Sequence, residues 1–108
     1  MRDPSFFFAG FATRNVRAGL MAVAEERERQ DRKWGEQNHE PVYWVGILTE
    51  ELGEVAKEAI EMTTAVALGE RSRDECLARL RAEIVQLAAV AVAAIEYIDR
   101  QAIEEIGL

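Results

Sequence analysis

The run Ile84–Ile95 most restricts how this chain can fold, because Gln86 is its only polar side chain. On a helix such a run is apolar on every side, and a helix of that kind must be covered on every side. The run is far shorter than the roughly 20 residues that a transmembrane helix needs. A chain of 108 residues with three helices can hardly enclose it alone. We therefore predict a homo-oligomer, a dimer or a tetramer, with this helix in the shared core.

Three helical stretches account for most of the sequence, and no stretch alternates as a β-strand does. Gly35 ends the first helix, while Pro41 suits the first turn of the second and Gly69 suits its C-terminal end. Ser72 and Glu75 form a capping box ahead of the third helix. The predicted helices cover about 16–33, 43–68 and 72–106.

The short link at 69–72 predicts that the second and third helices pack antiparallel, with residues 51–54 opposite about 87–90. The predicted fold is all-α: a single domain over 1–108, an antiparallel helical bundle completed by homo-oligomerisation. Residues 1–14 are predicted to form an N-terminal arm. Its apolar part at 5–12 has no clear small-residue cleavage site, so we expect its aromatics to pack on the core or on a second subunit.

The charge and the cysteine content restrict the partners and the compartment. A net charge of −7 without a basic stripe argues against a nucleic-acid backbone and against an anionic membrane surface as partners. Cys76 is the only cysteine, which excludes an intrachain disulfide and a cysteine-rich zinc site. We expect a reducing, cytoplasmic setting.

Negative charge is concentrated on the second helix, in the segment TEELGEVAKE at 49–58. Residues three or four apart are neighbours on a helix, so each such pair of acids repels by roughly 0.2–0.5 kcal/mol. Lys57 relieves only part of this repulsion. Glu51 lies at the margin of the apolar stripe, where an ionised carboxylate needs a partner. The acids of the segment are Glu50, Glu51, Glu54 and Glu58.

Glu83 and Gln86 on the third helix are candidate oxygen donors opposite this cluster. The antiparallel register brings them within about one helical turn of Glu51 and Glu54. A divalent cation is the simplest agent that holds converging carboxylates without a basic residue, and Mg²⁺ prefers oxygen ligands. The competing interpretation is a solvated acidic face on which Arg79 pairs with Glu83. The spacing alone leaves both interpretations open.

The segment EELGEVAKE at 50–58, followed by EIVQLAAVAVAAIE at 83–96, resembles the MazG-like all-α nucleoside triphosphate pyrophosphohydrolases. These enzymes carry an E-E-x-x-E segment on one helix and an E-x-x-D segment on the next. The upstream segment ERERQDRKWGEQNH at 26–39 is similar to the one that precedes this signature in a compact, phage-type branch. The likeness covers about residues 25–99.

The resemblance implies a Mg²⁺-dependent hydrolysis of an NTP or dNTP to the monophosphate and pyrophosphate, with Mn²⁺ as an alternative ion. Carried over by position, Glu51, Glu54 and Glu83 are metal ligands. Glu50 is a ligand or orients the attacking water, which makes Glu50, Glu51 and Glu54 the expected catalytic residues. Gln86 stands where the family pattern has Asp. It brings an oxygen but no charge, so it is either a neutral fourth ligand or the mark of a weakened or inactive site.

The segment around the first loop supplies candidates for substrate binding. Aromatic faces stack on bases and amides read their polar edges, while lysines reach phosphates. Trp44 is a further aromatic, but its place on the apolar stripe favours a core position. A non-catalytic helical oligomer that binds nucleotide or a protein partner is the alternative function, and Gln86 is its best support. The expected substrate-binding residues are Lys33, Trp34, Gln37, Asn38, His39 and Lys57.

Overall fold

The computed structural model describes residues 16–105, which form three helices and no strand. We number them α1 (Val16–Trp34), α2 (Pro41–Ala67) and α3 (Arg73–Glu105). The all-helical fold is as predicted. The predicted arm at 1–14 and the predicted helix end at 106 lie outside the described residues. No helix in the described part combines the length and the apolar character needed to cross a membrane.

The helix ends lie where the sequence signals placed them. Gly35 has a φ of 72° and its N–H donates to the Asp31 carbonyl at 2.8 Å, which ends α1. Pro41 is in the first turn of α2, and Gly69 follows its end with a φ of 70°. Positive φ favours glycine because it has no Cβ. At the start of α3, the Ser72 hydroxyl oxygen accepts a hydrogen bond from the Glu75 N–H at 3.1 Å.

The central element is α3, which packs against both α1 and α2. Near the end of α3, the Tyr97 ring lies 6.2 Å from the Trp44 ring in the first turns of α2, so these two helices are antiparallel. The same register places residue 51 opposite residue 90, as predicted. Arg27 on α1 binds Glu96 on α3, while the start of α1 lies beside the start of α3, so α1 and α3 run parallel. The chain therefore runs up, down and up.

The core consists mainly of small side chains, and several large apolar side chains lie outside it. The exposed fractions of Leu52, Ile84 and Ile98 are 55%, 46% and 59%. The described part is only 21 Å across its thinnest direction, so one helix layer cannot cover both sides of α3. The small residues are buried because they let the helix backbones approach. The buried residues are Trp44, Ala65, Cys76, Ala89 and Ala94.

A bidentate ion pair links α1 to α3. Arg27 donates from Nε to Glu96 Oε1 at 3.1 Å and from Nη2 to Glu96 Oε2 at 2.8 Å, and Nη2 also donates to Asp31 Oδ1 at 2.8 Å. The Arg27 side chain is only 11% exposed. These hydrogen bonds raise the pKa of Arg27 further above its ordinary value. Because α1 has no fully buried residue, this pair is an important part of its attachment.

Candidate functional site

A cavity of about 390 Å³ lies between α1 and α2, with α3 as its floor. It exists because α1 and α2 both pack on α3 but not against each other within the described residues. We call it the interhelical cavity. The floor is formed by Gln86, Val90 and Ala93, and Glu51 stands on the α2 wall. A hollow of this size, with polar and apolar walls, is within the range of small-molecule sites.

Glu51 is the acid of α2 that reaches the interhelical cavity. Burial raises the pKa of its carboxyl above the ordinary value of 4.5, and the negative charges of Glu83, Glu50, Glu54 and Glu26 raise it further. Of these four charges, that of Glu83 raises the pKa of Glu51 most, and Glu83 belongs to α3. The charge of Glu83 therefore acts on Glu51 from the neighbouring helix.

The acids at this end of α2 have no basic partner within residues 16–105. The structure forms no ion pair there with Glu50, Glu51, Glu54 or Glu83, and the proposed Arg79–Glu83 pair is not made. Further along α2 the situation differs. Arg71 lies 3.8 Å from both Glu58 and Glu61 and compensates that half of the acidic face. The uncompensated charge is therefore confined to the half beside the cavity.

The donor atoms here have the chemistry that Mg²⁺ prefers, because they are carboxylate and amide oxygens. Glu51 and Glu83 are half-buried, and Gln86 lies on the cavity floor. Glu50 and Glu54 are exposed, although their charges act on Glu51. In the described part of the chain, no group of three or more His, Cys, Asp and Glu side chains is close enough to hold a metal ion.

The α1 wall carries positive charge that the sequence analysis did not assign to a site. Arg29 and Lys33 both line the interhelical cavity, one helical turn apart. Glu26 holds Arg29 in place by accepting from its Nε at 2.8 Å and its Nη2 at 2.7 Å, and it also accepts from Gln30 at 3.2 Å. The hydrogen bond from Arg29 lowers the pKa of Glu26. Residues 26, 29, 30 and 33 have the spacing of one helix face, and this spacing is the sequence signal that could have indicated a polar cavity wall.

One end of the cavity is aromatic. Trp34 is 64% exposed, and the Lys33 ammonium lies 4.8 Å from the centre of its ring. Trp44 is buried, as its stripe position favoured, yet it also lines the cavity. Its indole N–H has no hydrogen-bond partner among the described residues. Gln37 completes this end from the loop between α1 and α2.

Three of the expected substrate-binding residues do not line the cavity. Asn38 donates to Glu36 at 3.0 Å, and its side-chain oxygen accepts from Arg100. The His39 Nε2–H donates to Gln37 Oε1 at 2.9 Å, since the amide oxygen can only accept. Lys57 is exposed on α2. Lys33, Trp34 and Gln37, by contrast, are brought together with Glu51 and Gln86 around one hollow.

Comparison of the chain with models of known families, with curated proteins and with solved structures found no match.

The raised pKa of Glu51 allows the repulsion between this carboxylate and its neighbouring acids to be tested. A folded-state pKa above 4.5 means that the ionised carboxylate opposes folding, and this cost is absent once the group is protonated. We expect Glu51→Gln to raise the melting temperature at pH 7 in the presence of a metal chelator. The gain should shrink as the pH falls through the raised pKa of Glu51, and it should be absent below the ordinary pKa of 4.5. Thermal unfolding followed by circular dichroism from pH 3.5 to 8 measures it.

Glu25→Gln, on the exposed surface of α1, is the matched control and should leave the melting temperature nearly unchanged at every pH. A Glu51→Gln protein less stable than the wild type at pH 7 would show that Glu51 is not under charge repulsion.

Proposed function

We propose that this protein is a Mg²⁺-dependent nucleoside triphosphate pyrophosphohydrolase, which converts an NTP or dNTP to the monophosphate and pyrophosphate and so clears unwanted nucleotides. The observation that carries the proposal is the division of charge around one cavity. Glu51, which has no basic partner among the described residues, stands on one wall under the charge of neighbouring acids, while Arg29 and Lys33 stand on the other. The MazG-like motifs supply the reaction class.

The cavity accommodates a nucleotide in one orientation better than in the other. The base belongs at the aromatic end, where Trp34 offers a ring face and Gln37 an amide. The phosphates then extend along Arg29 and Lys33, whose positive charges attract them. This orientation directs the α-phosphorus towards Glu51. The reverse orientation would bring the phosphates to the tryptophans and leave Lys33 without an anion.

The chemistry needs a water molecule, a proton acceptor and a cation. Water attacks the α-phosphorus, the bond to the bridging oxygen of pyrophosphate breaks, and a carboxylate accepts the proton. Glu51, Glu54, Glu83 and Gln86 would hold Mg²⁺, which neutralises charge that develops on the phosphate oxygens. Glu50 is assigned to the metal or to the orientation of the water. The negative charges that raise the pKa of Glu51 also favour a cation beside it.

A non-catalytic nucleotide-binding oligomer is the second candidate. Two observations favour it: Gln86 brings no charge, and no group of three acids in the described part is positioned to hold a metal. Gln86→Asp separates the two functions, because it restores the acid of the family pattern. A wild type without hydrolysis that gains it through this change would support the binding function.

A second copy of the chain is the proposed cover for α3, in keeping with a homo-oligomer. Ile84, Ile95 and Ile98 are exposed along α3. An apolar hollow of about 580 Å³ lies between α1 and α3, lined by Leu20, Val23 and neighbouring apolar residues. A nucleotide substrate and the free thiol of Cys76 fit a cytoplasmic setting.

The enzyme assay is pyrophosphate release from a panel of NTPs and dNTPs with Mg²⁺. We expect release from at least one of them, its loss in a chelator, and a fall of about 10²-fold or more in kcat for Glu51→Ala, because an essential charge partner is removed. Glu25→Ala is the matched control on α1 and should keep the wild-type rate. No release from any nucleotide, or a rate unaffected by Glu51→Ala, would refute the enzyme function.

The oligomer has its own test in light scattering coupled to gel filtration. We expect a molar mass of at least two chains of 12.2 kDa each, since exposed isoleucines of one copy are buried by another. Ile95→Glu should lower that mass, whereas Val42→Glu, at an exposed position in the first turn of α2, should not. A wild type that runs as one chain across the micromolar range contradicts the proposal.

A further inference from the structure

The loop at 35–40 is the least regular part of the interhelical cavity wall. It connects α1 to α2 without helix or strand, and it contributes Gln37 to the cavity. Backbone groups in such a loop have no ladder of their own, so they depend on partners from elsewhere in the chain. What holds this loop also determines where the Gln37 side chain stands.

Arg100, near the end of α3, provides that partner. Its Nη2 donates to the Gln37 carbonyl oxygen at 3.0 Å and to Asn38 Oδ1 at 3.1 Å. Its Nε lies 3.6 Å from Glu36 Oε1. One guanidinium therefore contacts three consecutive loop residues. A planar fork of donors makes such contacts in a fixed geometry, which a lysine ammonium does not.

The Gln37 side chain is oriented from its other end. Its Oε1 accepts from His39 Nε2, and the His39 ring is itself packed edge-on against Trp44 at 4.9 Å and beside Tyr43 at 4.6 Å. With the oxygen held by His39, the amide NH₂ is the group that Gln37 can offer to a ligand. Two N–H donors at the aromatic end of the cavity recognise a carbonyl oxygen or an unprotonated ring nitrogen.

We infer that Arg100 is a positioning residue that fixes the loop so that the Gln37 amide donates to an acceptor atom on the nucleobase. The inference rests on the proposed function for the class of ligand. Arg100 does not line the interhelical cavity and acts through Gln37. It sits behind the loop, in the separate hollow that it shares with Arg27 and Glu96.

A double-mutant cycle measured on KM tests whether Arg100 acts through Gln37. We expect Gln37→Ala and Arg100→Met each to raise KM by about tenfold, the value of one hydrogen bond, with kcat within about twofold of the wild type. The variant with both changes should be no worse than Gln37→Ala alone, because Arg100 acts through Gln37. Arg100→Lys should recover only part of the loss. Arg73→Met, at an exposed position on the same helix, is the control.

Backbone ¹⁵N order parameters at 36–39 should also be lower in Arg100→Met than in the wild type, which a loop held by other contacts would not show. Additive effects on KM, or lower order parameters with an unchanged KM, would overturn the inference. A wild type without hydrolysis would refute the proposed function instead. Arg100 is then tested by the Kd of a non-hydrolysable nucleoside triphosphate. An unchanged Kd in Arg100→Met, or no binding by the wild type, overturns the inference as well.

Discussion

The proposed site depends on electrostatic repulsion between carboxylates of α2 and α3. Glu51 and Glu83 come from different helices, and the packing of α2 on α3 sets their distance from each other. Neither has a basic partner in the described part of the chain. Two like charges held in this way favour any cation that can lie between them. A metal site needs such uncompensated negative charge before the ion binds.

The architecture around the acids explains why a cavity exists beside them. Because α1 is attached to α3 and not to α2, a gap remains between the first two helices. The Arg27–Glu96 ion pair fixes α1 on the far side of this gap. The loop at 35–40 then spans its end, and Arg100 holds that loop. Charged contacts thus position α1 and the loop, where few apolar side chains are buried. This matters in a chain whose described core contains one large side chain, Trp44.

Much of the fold could be read from the sequence, since local rules determine it. Gly35, Gly69 and Ser72 mark helix ends because positive φ and side-chain capping depend only on neighbouring residues. The short α2–α3 link sets the antiparallel register, so the position of residue 51 opposite residue 90 could be predicted too. The positive charge on the α1 wall of the cavity could not be predicted. Periodicity shows which face of α1 is polar, but it does not show that Arg29 would face Glu51 across a gap. Arg100 was also missed, because its contacts with the loop join residues more than sixty positions apart.

In the proposed site, Glu51 and Glu83 share one cation. Carboxyl ¹³C NMR of glutamate-labelled protein, titrated with Mg²⁺ without nucleotide, tests whether they do. The expected result is that the Glu51 and Glu83 signals move together along one saturating curve, while exposed Glu25 stays still. If those two signals do not move, or if every glutamate shifts weakly without saturation, the acids do not form a cation site.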